Sequence, residues 1–397
     1  MCENEIEIEN YDKYKEPSFQ FVAKIEEYHI NNLSYNDFFD RFMVKNIPVL
    51  INGIADRWEC QNWIDSSHLV NIEYLRQKID KTQNVPIANC GKVYYNSHEK
   101  SEMQFGAFVD YWTNKMQQNE CDSTNLLYLK DWHLRRSQPD YQFYTTPIYF
   151  ASDWLNEYCV EKRIDDYRFV YMGPKGTWTP FHADVFSSFS WSTNIVGTKK
   201  WIFLPPQEED KLRDNLGNLP FDIDEEKYQN LIHEKNVRSF EVIQRAGQTV
   251  FVPSGWHHQV WNLEDTISVN HNWFNGCNIH CIWNAIYAKY KDVLREIDDC
   301  KDMDGFDEHC QLMLKSDFGL DFQMFLDILE CVATNRLKIL QMSCELMLNE
   351  SKLGRKHSIY DLMSIRRVLE DFYTKCILEN LQKSSQALIL EINQVLR

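Results

Sequence analysis

The chain has 397 residues, a length that predicts two or three domains or one large core with an appendage. Its net charge of −17 argues against a nucleic-acid-binding protein, which needs a basic surface to neutralise phosphates. With 44% hydrophobic and 14% aromatic residues the sequence is too apolar for a disordered chain, yet no stretch approaches the roughly 18 apolar residues of a membrane span. We therefore expect a soluble globular protein.

The first ten residues are acidic and lack the basic and apolar segments of a secretory signal. We therefore expect a cytoplasmic protein whose twelve cysteines remain mostly buried thiols in a reducing compartment. A nuclear pool is left open, although Lys352, Arg355 and Lys356 are too sparse for an import signal.

The amino-terminal region is predicted to alternate helices with short strands to about residue 160. Apolar residues at helical spacing predict a helix over Asn36–Val44. The apolar run Ile47–Ile51 that follows predicts a buried strand, which the chain enters through Pro48.

From Arg168 to Phe274 the sequence changes to short runs rich in β-branched and aromatic residues, separated by glycine-containing turns. This pattern predicts a β-sandwich or jelly roll. An acid-rich insertion, residues 207–238, interrupts the pattern. We interpret it as a solvated surface excursion, with a functional loop or short helix as the alternative.

The rest of the chain is predicted to be helical. Apolar residues recur at three- and four-residue intervals over Ile279–Ile297, Phe322–Leu353 and Tyr360–Leu396. Such a stripe favours a core or a dimer interface over a cofactor site. Cys277 and Cys281 have helical i,i+4 spacing, but a zinc site would need further ligands such as His280, so buried core thiols are the preferred interpretation.

The segment TPFHAD, residues 179–184, is the first that indicates chemistry. In an extended strand residues i and i+2 point to the same face, so His182 and Asp184 can present an imidazole and a carboxylate to one ion. A later strand offers His257 and His258, and alternation alone does not decide between them. Two histidines and one carboxylate form the facial triad of non-haem Fe(II) oxygenases.

Lys199 and Lys200 lie between these two segments. A lysine that points into a barrel mouth needs an anionic partner, because an unpaired buried ammonium group is unfavourable. The carboxylate of a co-substrate would be such a partner. Taken alone, the pair equally fits an exposed hairpin.

Three segments together resemble the JmjC oxygenases, which use Fe(II), 2-oxoglutarate and O2. They are TPFHAD (179–184), SWSTNIVGTKKWIFLPP (190–206) and VPSGWHHQVWNLEDTISVNHNW (252–273). The resemblance implies an α+β fold, a double-stranded β-helix (jelly-roll, cupin-like) core with flanking amino-terminal helices and an all-helical carboxy-terminal appendage. It also implies an amino-terminal segment (1–33), an oxygenase domain (34–276, its β-helix core at about 140–276) and a helical region (277–397).

The resemblance carries over residue by residue. His182, Asp184 and His258 fall on the family's metal ligands, so His257 is expected to pack on the other face. Lys199 falls on the lysine that pairs with the distal carboxylate of 2-oxoglutarate, which leaves Lys200 at the surface.

Hydroxyl donors to the same carboxylate are implied at Thr179 and Tyr128. Two positions depart from relatives: Ser192 stands where some have Asn, and Asn270 where some have Thr. Both replacements keep a hydrogen-bonding group, and Asn270 is retained as a candidate site residue. Asn194 fits a structural role in its strand equally well.

Within the family the chain is most similar to proteins described as hydroxylating a lysyl side chain of the eukaryotic peptide-chain release factor. The resemblance thus implies a protein lysyl hydroxylase that releases succinate and CO2 and acts on a protein partner, without nucleic acid or membrane. Three alternatives remain: a JmjC histone lysine demethylase, a catalytically silent JmjC binding scaffold, and a cupin-like isomerase or storage protein. The oligomeric state is left open.

Overall fold

The computed structural model describes residues 5–9, 22–95, 97–117, 124–342 and 345–397. The amino-terminal part combines short helices with strands, most of which lie at the two ends of the larger sheet. Its elements are β1 (Glu5–Ile6), β2 (Glu26–His29), α1 (Tyr35–Phe38), β3 (Val49–Asn52), α2 (Ile72–Lys78), β4 (Asn84–Tyr94), β5 (Ser97–Gln104), α3 (Phe105–Gln117), β6 (Leu127–Trp132), α4 (Leu134–Ser137) and α5 (Trp154–Lys162).

The helix and strand predicted near residue 45 are both present. Ser34 caps α1 through a capping box with Asp37, and the helix continues as a π-helical turn over Phe39–Met43. The predicted strand is β3, whose first three residues are buried.

The middle of the chain forms the β-rich core. Its elements are β7 (Arg168–Gly173), β8 (Trp178–His182), β9 (Phe189–Val196), β10 (Lys199–Leu204), α6 (Glu226–Glu234), β11 (Phe240–Gln244), β12 (Gln248–Val252), β13 (His257–Asn262) and β14 (Thr266–Trp273).

Two sheets face each other in this core. The larger has the order β2-β3-β12-β9-β14-β7-β6-β4-β5, and the smaller has the order β11-β10-β13-β8. Consecutive core strands alternate between the two sheets except β10 and β11, which are antiparallel neighbours in the small sheet. Apart from the parallel pair β2–β3, the strands of the two sheets pair antiparallel. This is the connectivity of a jelly roll, so the predicted fold class is confirmed.

The acidic insertion is partly buried, so its interpretation as a surface excursion is wrong on one side. Leu212, Ile223 and Val237 from the insertion pack with Phe181 and Leu204 of the small sheet. The segment packs against the sheet because the free energy gained by burying these apolar side chains exceeds the cost of partly desolvating the neighbouring acidic side chains.

The carboxy-terminal region is mostly helical. Its elements are α7 (Ile279–Glu296), α8 (Phe306–Phe318), α9 (Phe322–Met342), β15 (Met347–Leu348), β16 (Ser351–Leu353), α10 (Arg355–Lys375) and α11 (Glu379–Val395). None of the helices in the described ranges is long and apolar enough to cross a membrane.

One predicted helical boundary is wrong. The helix predicted to reach Leu353 ends at Met342, and a β15–β16 hairpin follows, with Asn349 at φ 57° in its turn. The amino-terminal β1 pairs with β16, so a strand distant in sequence stabilises this hairpin. The span Tyr360–Leu396, predicted to be helical, consists of two helices, α10 and α11, separated at Cys376–Leu378.

A second hydrophobic core joins the helical region to the rest of the molecule. Trp283 of α7 and Phe325 of α9 pack in it with Trp154 of α5 and with Phe186, which lies in the loop between β8 and β9. The helical region therefore contacts the connections of the β-rich core directly.

Candidate active site

The three residues predicted as metal ligands lie together at one end of the jelly roll. Strand β13 pairs with β8 so that His258 lies directly opposite His182, and Asp184 follows β8 by two residues. One candidate ligand atom from each residue lies within 4.8 Å of the other two. Antiparallel neighbours directly opposite each other share a face, which explains why the two imidazoles converge.

Hydrogen bonds to the backbone orient both imidazoles. The Nδ1 atom of His182 lies 2.7 Å from the Pro180 carbonyl oxygen, and Nδ1 of His258 lies 3.0 Å from the Trp256 carbonyl oxygen. A carbonyl that accepts from Nδ1–H leaves Nε2 free to bind a metal ion.

Burial keeps His182 in the neutral form that binds metals. Burial, followed by the neighbouring His258, lowers the pKa of His182 to about 3. The Asp184 carboxylate is oriented by the core: it accepts hydrogen bonds from Ser190 Oγ at 2.7 Å and Asn272 Nδ2 at 2.9 Å.

His257 lies on the opposite face of β13. Its Nδ1 atom is 3.5 Å from a carboxylate oxygen of Glu209, and its ring packs against Phe181. The structure thus brings His258, and not His257, to His182 and Asp184.

The four residues predicted to hold 2-oxoglutarate line the same cavity as the three candidate ligands. This cavity has a volume of about 500 Å³, and it is lined by Tyr128 of β6, Thr179 of β8, Lys199 of β10 and Asn270 of β14. Burial raises the pKa of the Tyr128 hydroxyl, which therefore stays protonated and able to donate a hydrogen bond.

Lys199 is a buried cation without a negative partner. Its residue is 2% exposed, and its Nζ donates to Ser268 Oγ at 2.7 Å. No carboxylate of the described residues is within ion-pair distance of that nitrogen. Burial, with a smaller effect from the Lys130 cation, lowers the pKa of Lys199 to about 7. A carboxylate in the cavity would compensate this charge.

Lys200, unlike its neighbour Lys199, does not line the cavity. It points to the other side of β10, where its Nζ lies 3.6 Å from a Glu241 carboxylate oxygen and over the ring of Trp261. Its side chain is 28% exposed.

The two positions that depart from relatives also face the cavity. The buried Oγ of Ser192 makes no hydrogen bond within the described residues. Asn270 donates to Ser268 Oγ at 3.1 Å, so Ser268 connects it to Lys199. Asn194 instead donates to the Gly197 carbonyl oxygen at 2.6 Å, a bond that closes the β9–β10 turn.

Sequence reasoning missed several residues of the cavity. Lys130 lines it, with Nζ over the rings of Tyr128 and Tyr171. Tyr128 and Lys130 are two residues apart on a strand, so their shared face was available from alternation. The same reasoning links Asn270 to Asn272, whereas the role of Ser268 depends on the pairing of strands far apart in sequence.

The cysteine pair at the start of α7 makes no comparable site. Within the described residues, His182, Asp184 and His258 are the one group of three that could hold a metal ion. Cys277 is buried, and burial raises its thiol pKa, which supports its interpretation as a core thiol.

The residues fit a divalent metal with a dicarboxylate beside it. Two imidazoles and one carboxylate converge on an open cavity, the donor set that iron oxygenases use. The buried ammonium group of Lys199 and the unpaired hydroxyl of Ser192 lie in the same cavity and match the charge and hydrogen-bonding needs of a carboxylate ligand.

Comparisons with known proteins agree with this geometry. A family model described as a Cupin-like domain matches residues 35–278. The chain is 46% identical to the Drosophila melanogaster protein named 2-oxoglutarate and iron-dependent oxygenase JMJD4 homolog, over 91% of this chain and 92% of that protein. It is 44% identical to the Danio rerio protein named 2-oxoglutarate and iron-dependent oxygenase JMJD4, over 87% of this chain and 85% of that protein. A Caenorhabditis elegans protein named bifunctional arginine demethylase and lysyl-hydroxylase psr-1 is 29% identical to this chain, over 66% of this chain and 64% of that protein.

Proposed function

The chain belongs to the cupin-like JmjC family of 2-oxoglutarate and iron-dependent oxygenases, and from that membership we propose that it hydroxylates a lysyl side chain of the eukaryotic peptide-chain release factor. The observation that carries the proposed site is the placement of Lys199. This buried, uncompensated cation shares one cavity with His182, Asp184 and His258.

In this proposal the chain divides the cavity between metal and co-substrate. His182, Asp184 and His258 would hold the iron. Lys199, Thr179 and Tyr128 would hold the distal carboxylate of 2-oxoglutarate, and Asn270 would be a further contact of the co-substrate. When bound, the iron and 2-oxoglutarate would together supply an oxidation by O2 that places a hydroxyl group on a substrate carbon and releases succinate and CO2.

The protein's own groups position these partners. Ser190 and Asn272 hold the Asp184 carboxylate, and the Pro180 and Trp256 carbonyls fix the two imidazoles. Lys199 already donates to Ser268, so its ammonium group is held in place before the co-substrate binds. Preorganisation of this kind lowers the entropy lost on binding.

Three observations support a lysyl substrate. The C. elegans relative is named, in part, a lysyl-hydroxylase. Asp131 lines the cavity and is exposed. One of its carboxylate oxygens accepts a hydrogen bond from the Tyr171 hydroxyl at 2.7 Å, and the carboxylate could also pair with a substrate ammonium group. The net charge of −17 also favours the approach of a basic protein segment.

Demethylation is the second candidate, because the same relative is also named an arginine demethylase. Hydroxylation of an N-methyl group would release formaldehyde and leave the nitrogen without that methyl group. The same cavity would serve this reaction, so only the product distinguishes the two activities.

Tandem mass spectrometry of purified release factor tests the proposal. The factor is incubated with the full chain, Fe(II), 2-oxoglutarate and O2, with His182→Ala protein as the matched control. We expect one lysine to gain a single oxygen atom in the wild-type reaction only. Loss of a methyl group from a methylated substrate, with formaldehyde, would favour demethylation. An unmodified factor, although the enzyme turns over 2-oxoglutarate with other proteins, would discard this substrate.

A further inference from the structure

The loop that carries Asp184 is held from two sides. On the side of the β-rich core, Ser190 and Asn272 bind the Asp184 carboxylate. On the opposite side the ring of Phe186, two residues further along, is inserted towards the helical region. It is 5% exposed, and its centroid lies 5.2 Å from that of Tyr167 and 5.8 Å from that of Phe318 at the end of α8.

The backbone of this loop is in a conformation that its residues do not favour. Phe186 has φ 60° and Ser187 has φ 58°, so two consecutive residues with side chains are left-handed. An aromatic residue has no intrinsic preference for this region, unlike glycine or asparagine. Such a conformation persists only where surrounding contacts determine it. The burial of the Phe186 ring is the contact that the structure offers.

Gly319 makes room for that ring. It ends α8 with φ +87°, and a Cβ atom placed on it would lie 2.9 Å from Cε1 and 3.3 Å from Cζ of Phe186. The first distance is shorter than any normal carbon–carbon contact. A side chain at position 319 would therefore push the ring, and with it the loop that carries Asp184.

We propose that the carboxy-terminal helical region positions the metal-binding carboxylate of Asp184, with Phe186 seated against Gly319 as the positioning contact. This inference rests on the proposed metal site. It gives the helical region a role in the reaction centre that neither a separate dimerisation module nor a passive appendage would have. Metal affinity is sensitive to such support, since loss of an outer partner that orients a ligand costs about 10- to 100-fold.

Gly319→Ala in the full chain tests the contact, with Gly305→Ala as the matched control. Gly305 lies at the other end of α8 with φ +72°, but a Cβ there would meet only Glu308, at 3.7 Å. Both substitutions thus add a methyl group to a left-handed glycine of the same helix. Only the first reaches Phe186.

The readout is the dissociation constant for Co(II) of the metal-free protein, followed by the visible spectrum of the bound ion. We expect Gly319→Ala to bind Co(II) about 10- to 100-fold more weakly, with an altered spectrum, and Gly305→Ala to match the wild type. Melting curves establish that each protein is folded at the temperature of the titration. Equal Co(II) affinities for the two alanine variants would overturn the proposal.

A second background separates the contact from a general loss of packing. Leucine at position 186 lacks the Cε1 and Cζ atoms that Gly319→Ala would meet. In Phe186→Leu protein we therefore expect Gly319→Ala to have little further effect on the Co(II) affinity. An undiminished effect in that background would contradict the mechanism.

Two further outcomes are decisive. If Gly319→Ala does not fold, Phe186→Leu alone decides: unchanged Co(II) affinity overturns the proposal, and weakened affinity in a folded protein supports it. Equal Co(II) binding by wild type and His182→Ala would overturn the metal site itself. That result is distinct from one in which the wild type binds Co(II) and Gly319→Ala leaves the affinity unchanged, which would overturn only the role of Phe186 and Gly319.

Discussion

Two groups of buried charges among the described residues, one around Arg336 and one at Lys199, differ in how they are paired. Between α5, α9 and α10, Arg336 is fully buried, and its guanidinium lies 2.7 Å from Glu157 and 2.8 Å from Asp361. His357 lies 3.2 Å from Asp361. In the active-site cavity, Lys199 is buried to nearly the same degree, but its one hydrogen bond to a described residue is to the Ser268 hydroxyl.

The protonation of the two clusters reflects this difference. Burial raises the pKa of Asp361, but His357 and then Arg336 outweigh burial and hold it below its usual range. No comparable compensation acts on Lys199, whose pKa falls to about 7. Removing one member of a paired cluster leaves another buried charge uncompensated, whereas a buried charge without a counterion suits an anionic ligand.

The largest expected effect separates the adjacent histidines of β13. His258→Ala removes a candidate metal ligand, so we expect 2-oxoglutarate turnover to fall more than about 100-fold, beyond what loss of an orienting partner costs. His257→Ala, on the opposite face, is the control and should keep most of the activity. Succinate formation measures both, and the reverse result would exchange the roles assigned to the two residues.

Arg336→Ala tests the paired cluster. Removing one member of a buried ion pair leaves the other charge uncompensated, so we expect the free energy of unfolding to drop by about 3–5 kcal/mol. Urea denaturation measures the change. Arg295→Ala is the matched control: Arg295 contacts Asp292 on the surface of α7 with a 78% exposed side chain, and its loss should cost less than about 1 kcal/mol. Similar losses of unfolding free energy in both variants would mean that the buried ion pairs contribute no more to stability than the exposed pair.

Lys199→Met should weaken ligand binding without destabilising the fold, the opposite of what we expect for Arg336→Ala. We expect 2-oxoglutarate to bind about 10- to 100-fold more weakly, the loss of about 1.5–3 kcal/mol that a charge-assisted hydrogen bond provides. The metal-free protein should melt at a higher temperature, because an uncompensated buried cation is replaced by an apolar side chain.

Lys200→Met is the control for both measurements, since Lys200 lies on the outer side of β10. Its 2-oxoglutarate affinity should match the wild type. A destabilised Lys199→Met protein with unchanged affinity would place Lys199 with Arg336 among the structural charges, and would remove the distinction between the two clusters.

The smallest expected effect is on pH dependence. Above about pH 7 Lys199 is neutral in the ligand-free protein, so binding of the 2-oxoglutarate carboxylate requires uptake of a proton. We expect the affinity of the Mn(II)-loaded enzyme for 2-oxoglutarate to fall towards a limit of about tenfold per pH unit as the pH rises from 7.5 to 9.5. Lys199→Arg, whose guanidinium stays protonated, should flatten the profile. A wild-type affinity that is constant over this range would contradict a neutral Lys199.

Local patterns determined much of this protein. The change from helical to strand periodicity near residue 168 predicted the jelly roll, and TPFHAD named two of the three candidate metal ligands, because these signals depend only on neighbouring residues. The choice between His257 and His258 shows where such reasoning ends. Alternation says that the two face opposite sides of β13, but only its pairing with β8 shows which one meets His182.

Tertiary structure decided the rest, because it depends on contacts between residues far apart in the chain. The β15–β16 hairpin forms where helical periodicity predicted a longer helix, since β1 pairs with it from the other end of the chain. The partner of Lys199 is Ser268 because β10 and β14 face each other across the cavity. The seat of Phe186 against Gly319 likewise joins two segments that no local pattern connects. A sequence determines which faces are apolar and which residues can bind, whereas sheet order and strand register determine which of them meet.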